Sequence, residues 1–208
     1  MKQKLCSILL ALTMVLTLLP VSALASDGAP AEAKPENVAQ IGGQGYATLQ
    51  AAIDAVTTDA PTTIDVLADL TPDTLNAVTS VDRQMAFTKP NVNITLNLNN
   101  HTVTALGGEA IKINAANVIL TVTDGTIENH ATGAYSDGLY AYRESNNLNL
   151  TLTNVKIHSR TQGLAVQGET SNSNVTINSG EIISSEGLGI YYPPKSGTLT
   201  VNDAKIEG

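Results

Sequence analysis

One short pattern is written five times between Ile94 and Gly208, and it restricts the possible folds more than any other feature of the chain. The five versions read ITLNLNNHTV, ILTVTDGTI, LTLTNVKI, VTINSGEI and LTVNDAKI. Taking Leu98, Val122, Leu152, Ile177 and Val201 as equivalent, the pattern recurs after 24, 30, 25 and 24 residues. A period of about 20–50 residues marks a stacked architecture in which each repeat buries its apolar face only against its neighbours.

Within each version apolar and polar residues alternate, as in a half-buried strand. Three inward columns are expected. The first is Leu96, Leu120, Leu150, Val175 and Leu199, the second begins with Leu98, and the third is Val103, Ile127, Ile157, Ile182 and Ile206. Between the second and third lies a polar corner of Asn100, Asp124, Asn154, Ser179 and Asp203, residue types that tolerate tight backbone turns and can bond to them. A further strand follows in each coil, beginning at Ala110-Ile111, Gly138-Leu139, Gly163-Leu164 and Gly187-Leu188. The expected fold is therefore all-β, a parallel β-solenoid, and parallel crossovers are overwhelmingly right-handed. A leucine-rich horseshoe has a similar period, but it needs a helical segment in each repeat and a different leucine spacing.

The start of the chain carries a different signal. Lys2 and Lys4 precede an apolar run from Leu5 to Leu19, and Ala23-Leu24-Ala25 is a small-residue cleavage pattern. Residues 1–25 are read as a secretory signal peptide, because the apolar core is too short for a membrane span. Residues 26–37, with Pro30 and Pro35, are read as a disordered linker, and 38–208 as the β-helix domain. The sole cysteine, Cys6, lies inside the signal, so the mature chain is expected to have no disulfide or thiolate chemistry. The formal charge of −8, from 11 basic and 19 acidic residues, disfavours nucleic acid as a partner. No second long apolar run predicts a transmembrane segment.

Thr48 is placed to cap a helix over 49–57, whose Leu49, Ala52, Ile53 and Val56 form one apolar stripe. Thr63 to Leu70 alternates as a first strand. Together, Tyr46-Ala-Thr-Leu-Gln-Ala-Ala-Ile-Asp-Ala55, Thr63-Ile-Asp-Val-Leu-Ala-Asp-Leu70 and Asn93-Ile-Thr-Leu-Asn-Leu-Asn-Asn-His-Thr-Val103 resemble the opening of bacterial secreted right-handed β-helix proteins. These belong to the pectate-lyase-like superfamily. The resemblance implies an N-terminal cap over 38–70, repeating coils over 94–208 and a secreted or cell-surface location in a bacterium. The superfamily holds lyases, glycosidases and adhesins, so the fold implies no single activity. The last coil stops at Glu207-Gly208 just past its third column, which leads to the expectation of further coils beyond it.

Several residues have chemistry to offer. The second coil is the longest, and its excess lies in Glu128 to Gly138, a protruding segment of the kind that carries binding sites. Glu128, Asp137, Arg143 and Arg160 are the candidate catalytic residues. A polysaccharide lyase needs a cation beside the uronate carboxylate and a base for the adjacent proton. Solvated loop charges are the plainer alternative, and no lyase or polygalacturonase motif is present. The column Glu109, Asp137, Gln162 and Glu186 would set oxygen ligands about 5 Å apart. Such a column could hold Ca²⁺, the one cofactor the pattern admits, or be a repeated polar turn. His101 and His130 have no partner at ligand spacing, so no metal site is otherwise expected.

Tyr140, Tyr142, Tyr191 and Tyr192 fall on the back strands, with Tyr142, Gln167 and Tyr191 expected in one outward column. Exposed tyrosines suit stacking on sugar rings, although tyrosine is also a good strand former. An outward column of Thr121, Thr151, Thr176 and Thr200 resembles the face of ice-binding solenoids and is equally an ordinary polar strand surface. The leading expectation is an adhesin-like or glycan-binding surface protein whose partner is an extracellular glycan or a host or cell-surface polysaccharide. The alternative is a polysaccharide lyase or glycoside hydrolase acting on an acidic or plant-type polymer.

Overall fold

The computed structural model describes residues 37–75 and 84–208. The expected signal peptide, all but the last residue of the expected linker, and residues 76–83 lie outside the described residues. In chain order the strands are β1 (Ala39–Ile41), β2 (Gln44–Tyr46), β3 (Thr62–Val66), β4 (Met85–Phe87), β5 (Val92–Asn97), β6 (Thr102–Ala105) and β7 (Glu109–Ile113). They continue with β8 (Val118–Asn129), β9 (Asp137–Ala141), β10 (Asn149–Ser159), β11 (Gln162–Val166), β12 (Ser173–Ser184), β13 (Leu188–Tyr191) and β14 (Gly197–Glu207). Two short helices, α1 (Leu49–Ala55) and α2 (Pro72–Leu75), complete the described elements.

The chain winds as a parallel β-solenoid of about five turns. One sheet runs β14-β12-β10-β8-β5-β3-β1-β2, with β6 also beside β8, and the other runs β13-β11-β9-β7-β4. Every pairing from β3 onward is parallel, and only β1 pairs antiparallel, with β2 and β3. Inward residues of both sheets share one apolar core, in which Ile111, Leu120, Ile127, Leu139, Ile157 and Leu164 have no exposed surface. Each such aliphatic side chain contributes about 1.5–3 kcal/mol on burial.

The expected third column stands in register from Val103 through Ile127, Ile157 and Ile182 to Ile206. The first two columns need a correction in the first coil. Ile94, not Leu96, aligns with Leu120, and Leu96, not Leu98, aligns with Val122. The cause is a longer corner: seven positions separate Leu96 from Val103, against five between Val122 and Ile127. There β5 stops at Asn97 and β6 resumes at Thr102, whereas β8 runs through as one strand. Leu98 sits in the break and remains buried, against the position of Gly125.

The polar corner takes a left-handed backbone at Asn100 (φ 65°), Asp124 (φ 54°) and Asn154 (φ 54°), as expected for these residue types. In the fourth coil Gly180 (φ 114°) takes that role instead of Ser179. A second left-handed file precedes the long strands: Asn91, Asn117, Asn147 and Asn172, with φ of 58°, 59°, 57° and 54°. Their amides bond rung to rung, Asn117 Nδ2 to Asn91 Oδ1 at 2.8 Å, Asn147 to Asn117 at 2.8 Å, and Asn172 to Asn147 at 3.0 Å. The threonine column is in register and longer than expected, running Thr63, Thr95, Thr121, Thr151, Thr176 and Thr200.

Helix α1 starts where Thr48 Oγ1 accepts from the Ala51 N–H at 3.1 Å, and its stripe Leu49, Ala52, Ile53 and Val56 is buried. Its Gln50 satisfies both backbone groups of Ala86 on edge strand β4, donating at 2.9 Å and accepting at 2.8 Å. At the other end of the first sheet, β14 leaves Leu199 and Val201 exposed. No helix among the described residues is long and apolar enough to cross a membrane.

Candidate functional site

The outer face of the second sheet carries Tyr140, Tyr142 and Tyr191, half of the six described tyrosines, beside Glu109 and Asp137, the most deeply buried carboxylates among the described residues. Its geometry begins with glycine. A Cβ at Gly138 would stand 2.3 Å from Ile157 Cγ2 and 2.4 Å from the Gly163 carbonyl oxygen, and Gly163 and Gly189 face Ile182 and Ile206 in the same way. These positions therefore point into the core, as does the next residue in each strand. The residue before each glycine turns outward, which places Glu109 and Asp137 side by side in register on the outer face.

Both carboxylates are covered, with 7% and 2% of their surface exposed. The Tyr142 hydroxyl donates to Glu109, and the Thr161 hydroxyl donates to Asp137. With its amide nitrogen turned toward Glu109, Gln84 donates to Oε2 at 2.9 Å. Burial pushes the Asp137 carboxyl above its ordinary value; the Thr161 hydroxyl opposes this and the charge of Glu109 adds to it. Burial, followed by the Glu109 carboxylate, also pushes the Tyr142 hydroxyl upward.

The expected carboxylate column is shorter than the spacing implied. Gln162 pairs with Leu188, not with the position of Glu186, because the last corner holds two more residues than expected. Glu186 instead accepts from Arg160 Nε at 2.9 Å. Among the described residues no group of three or more His, Cys, Asp or Glu is placed to hold a metal ion.

The tyrosine column also shifts by two. Tyr191 aligns with Ala165 and Ala165 with Tyr140, which itself pairs with Lys112. Tyr142 and Gln167 are therefore not in the column of Tyr191. Tyr140 and Tyr142 pack with ring centroids 4.8 Å apart at 51°, and Lys112 Nζ lies 5.2 Å from the Tyr142 centroid. Ala165 is fully buried between the two rungs that carry Tyr140 and Tyr191, while Tyr191 is 41% exposed. Tyr192 is turned the other way: it packs on the core, and its hydroxyl donates to the Ser173 carbonyl.

The four candidate catalytic residues are dispersed. Glu128 and Arg160 line one open cleft of about 300 Å³ at the corner, together with His130 and His158. Each already has partners. Glu128 Oε2 is 3.0 Å from His130 Nε2, and Arg160 Nη1 donates to the Thr132 carbonyl at 2.6 Å and to that of Gly133 at 3.2 Å. Arg160 thus clasps the inserted loop. Asp137 lies covered at the start of β9, and Arg143 stands past the other end of that strand, 3.4 Å from Glu144. Lys112, Thr161, Gln84 and Ala165 escaped the sequence reading. The recurring glycine one residue after Asp137 and Gln162 was the signal that could have located the outer face.

Comparison with protein-family models, with curated proteins and with solved structures found no match to this chain.

Proposed function

We propose that this protein is a secreted or cell-surface bacterial β-helix, right-handed and of the pectate-lyase-like kind, that binds an extracellular glycan without cleaving it. The surface that does so is the outer face of the second sheet. What carries the reading is the register of Tyr140, Ala165 and Tyr191, which sets two outward tyrosines two rungs apart across a small residue. Two rungs span about 9.6 Å, enough for adjacent sugar rings to meet successive aromatic rings. Each ring contributes about 0.5–1.5 kcal/mol beyond its buried area, which accords with affinities in the high micromolar to millimolar range. Glu109 and Asp137 beside the platform, on a chain of formal charge −8, favour a neutral glycan over an acidic one.

Titration calorimetry with neutral oligosaccharides tests this. Binding should be lost in Tyr140→Ala/Tyr191→Ala and kept in Tyr192→Phe, whose ring remains in the core. Equal binding by the wild-type protein and the double alanine variant would end the proposal. A second reading, a polysaccharide lyase or glycoside hydrolase, draws on Glu128 and Arg160 sharing one cleft. It requires the appearance of unsaturated products or reducing ends on incubation with polymer, and their loss in Glu128→Gln.

A further inference from the structure

A second cleft lies on the other side of the inserted loop, and nothing in the glycan-binding reading has used it. It is open, about 450 Å³ in volume, and runs between the turn at Leu106-Gly107-Gly108 and the loop segment His130 to Tyr135. That volume is within the usual range of about 300–1,000 Å³ for small-molecule sites. Two of its walls are apolar and unusually exposed: Tyr135 at 75% and Leu106 at 43%. Apart from His130, no ionisable side chain other than Tyr135 lines it, in contrast to the charged cleft on the loop's far side.

The loop is held in place at several points. Asn129 Nδ2 donates to the Asp137 carbonyl at 2.6 Å, Ser136 N–H donates to Thr161 Oγ1 at 2.9 Å, and Arg160 binds the carbonyls of Thr132 and Gly133. Opposite it, Gly108 comes so close that a Cβ there would stand 3.3 Å from the Tyr135 carbonyl oxygen. The walls are thus preformed, which lowers the ordering cost of binding. The loop leads directly into β9, and Tyr140 follows Asp137 by three residues, about 10 Å along the strand.

We propose that this cleft is a second subsite for a neutral sugar, with Tyr135 as its stacking wall, continuous with the Tyr140–Tyr191 platform. The inference rests on the glycan-binding reading and adds a consequence to it: affinity grows with chain length because a longer oligosaccharide reaches from the platform to Tyr135. Arg160 acts as a positioning residue that holds the loop wall.

The test is calorimetric titration of neutral gluco-, manno- and xylo-oligosaccharides of increasing length against wild type, Tyr135→Ala and Arg160→Gln. Tyr135 is largely solvent-exposed, so its replacement should leave the melting temperature unchanged. Wild type should bind the longer chains about two- to twelvefold more tightly than the shortest ones, the increment of one aromatic contact. Tyr135→Ala should lose that increment and bind short chains as wild type does, and Arg160→Gln should lose part of it. Affinity that drops equally for all lengths in Tyr135→Ala, or for none, overturns the second subsite and leaves the platform standing. No binding of any oligosaccharide by wild type overturns both.

Discussion

Replacing Asn147 probes the asparagine file where each consequence can be assigned to an atom. Asn147 has φ of 57°, donates to Asn117 Oδ1 at 2.8 Å and accepts from Asn172 Nδ2 at 3.0 Å. Alanine removes both bonds, each worth about 0.5–1 kcal/mol at an exposed site. It also brings a Cβ without a local polar group into the left-handed region, at about 1–2 kcal/mol. Asn147→Ala should therefore cost about 2–4 kcal/mol, summing those ranges. Asn147→Asp is more discriminating. The carboxylate tolerates the backbone and still accepts from Asn172, but it cannot donate, and it opposes the oxygen of Asn117. Protonation restores the donor. The introduced carboxyl therefore has a folded-state pKa above its unfolded value of about 3.9. Its protonated form supports the fold fully below that value, and this support is lost as pH rises through the raised one. Urea unfolding at pH 3 and pH 7 reads this directly: the penalty of Asn147→Asp relative to wild type should be about 1–2 kcal/mol at pH 7 and should shrink at pH 3. A penalty equal at both pH values, or an alanine variant as stable as wild type, would show that the file carries no stabilising bonds.

Two further predictions follow from the outer face of the second sheet. Asp137 has a folded pKa raised above the ordinary 3.8, so the native state holds its proton longer than the unfolded chain. Its contribution is complete below that ordinary value and declines as pH rises through the raised one. Asp137→Asn, which resembles the protonated form, should remove that decline from the pH dependence of urea unfolding. Gly138→Ala should destabilise by about 1–3 kcal/mol through overpacking. Its Cβ would meet the Ile157 side chain and a backbone oxygen, whereas Gly133→Ala, with nothing within 4 Å, should leave the melting temperature near wild type.

Alternation between apolar and polar residues made the middle coils readable, since Val122, Leu152 and Ile177 follow one another wherever the corner length is constant. It failed where the corner length changes. Two extra residues around Leu98 to His101 shifted the first coil, and Gly187-Leu188 imitated the Gly-Leu start of earlier back strands, although Gly189-Ile190 occupies that place. The asparagine file went unread because turn residues carry no periodic apolar mark and their bonds link positions 25 to 30 residues apart, as between Asn147 and Asn172 or Asn117. Similarly, the burial of Glu109 depends on Tyr142 and Gln84 from neighbouring coils. Spacing within a single coil contains no information about that contact.

The register of the last back strands decides whether Tyr191 shares a column with Tyr140, and cysteine pairs can measure it in solution. With Cys6, the chain's sole cysteine, changed to serine, Ala165→Cys/Tyr191→Cys places the two Cα atoms about 4.8 Å apart, within disulfide reach. In Gln167→Cys/Tyr191→Cys the two-residue offset widens that separation to about 8 Å, beyond reach. Mild oxidation of monomeric protein should cross-link the first pair and leave the second reduced. A disulfide in the second pair and none in the first would contradict the alignment on which the platform depends.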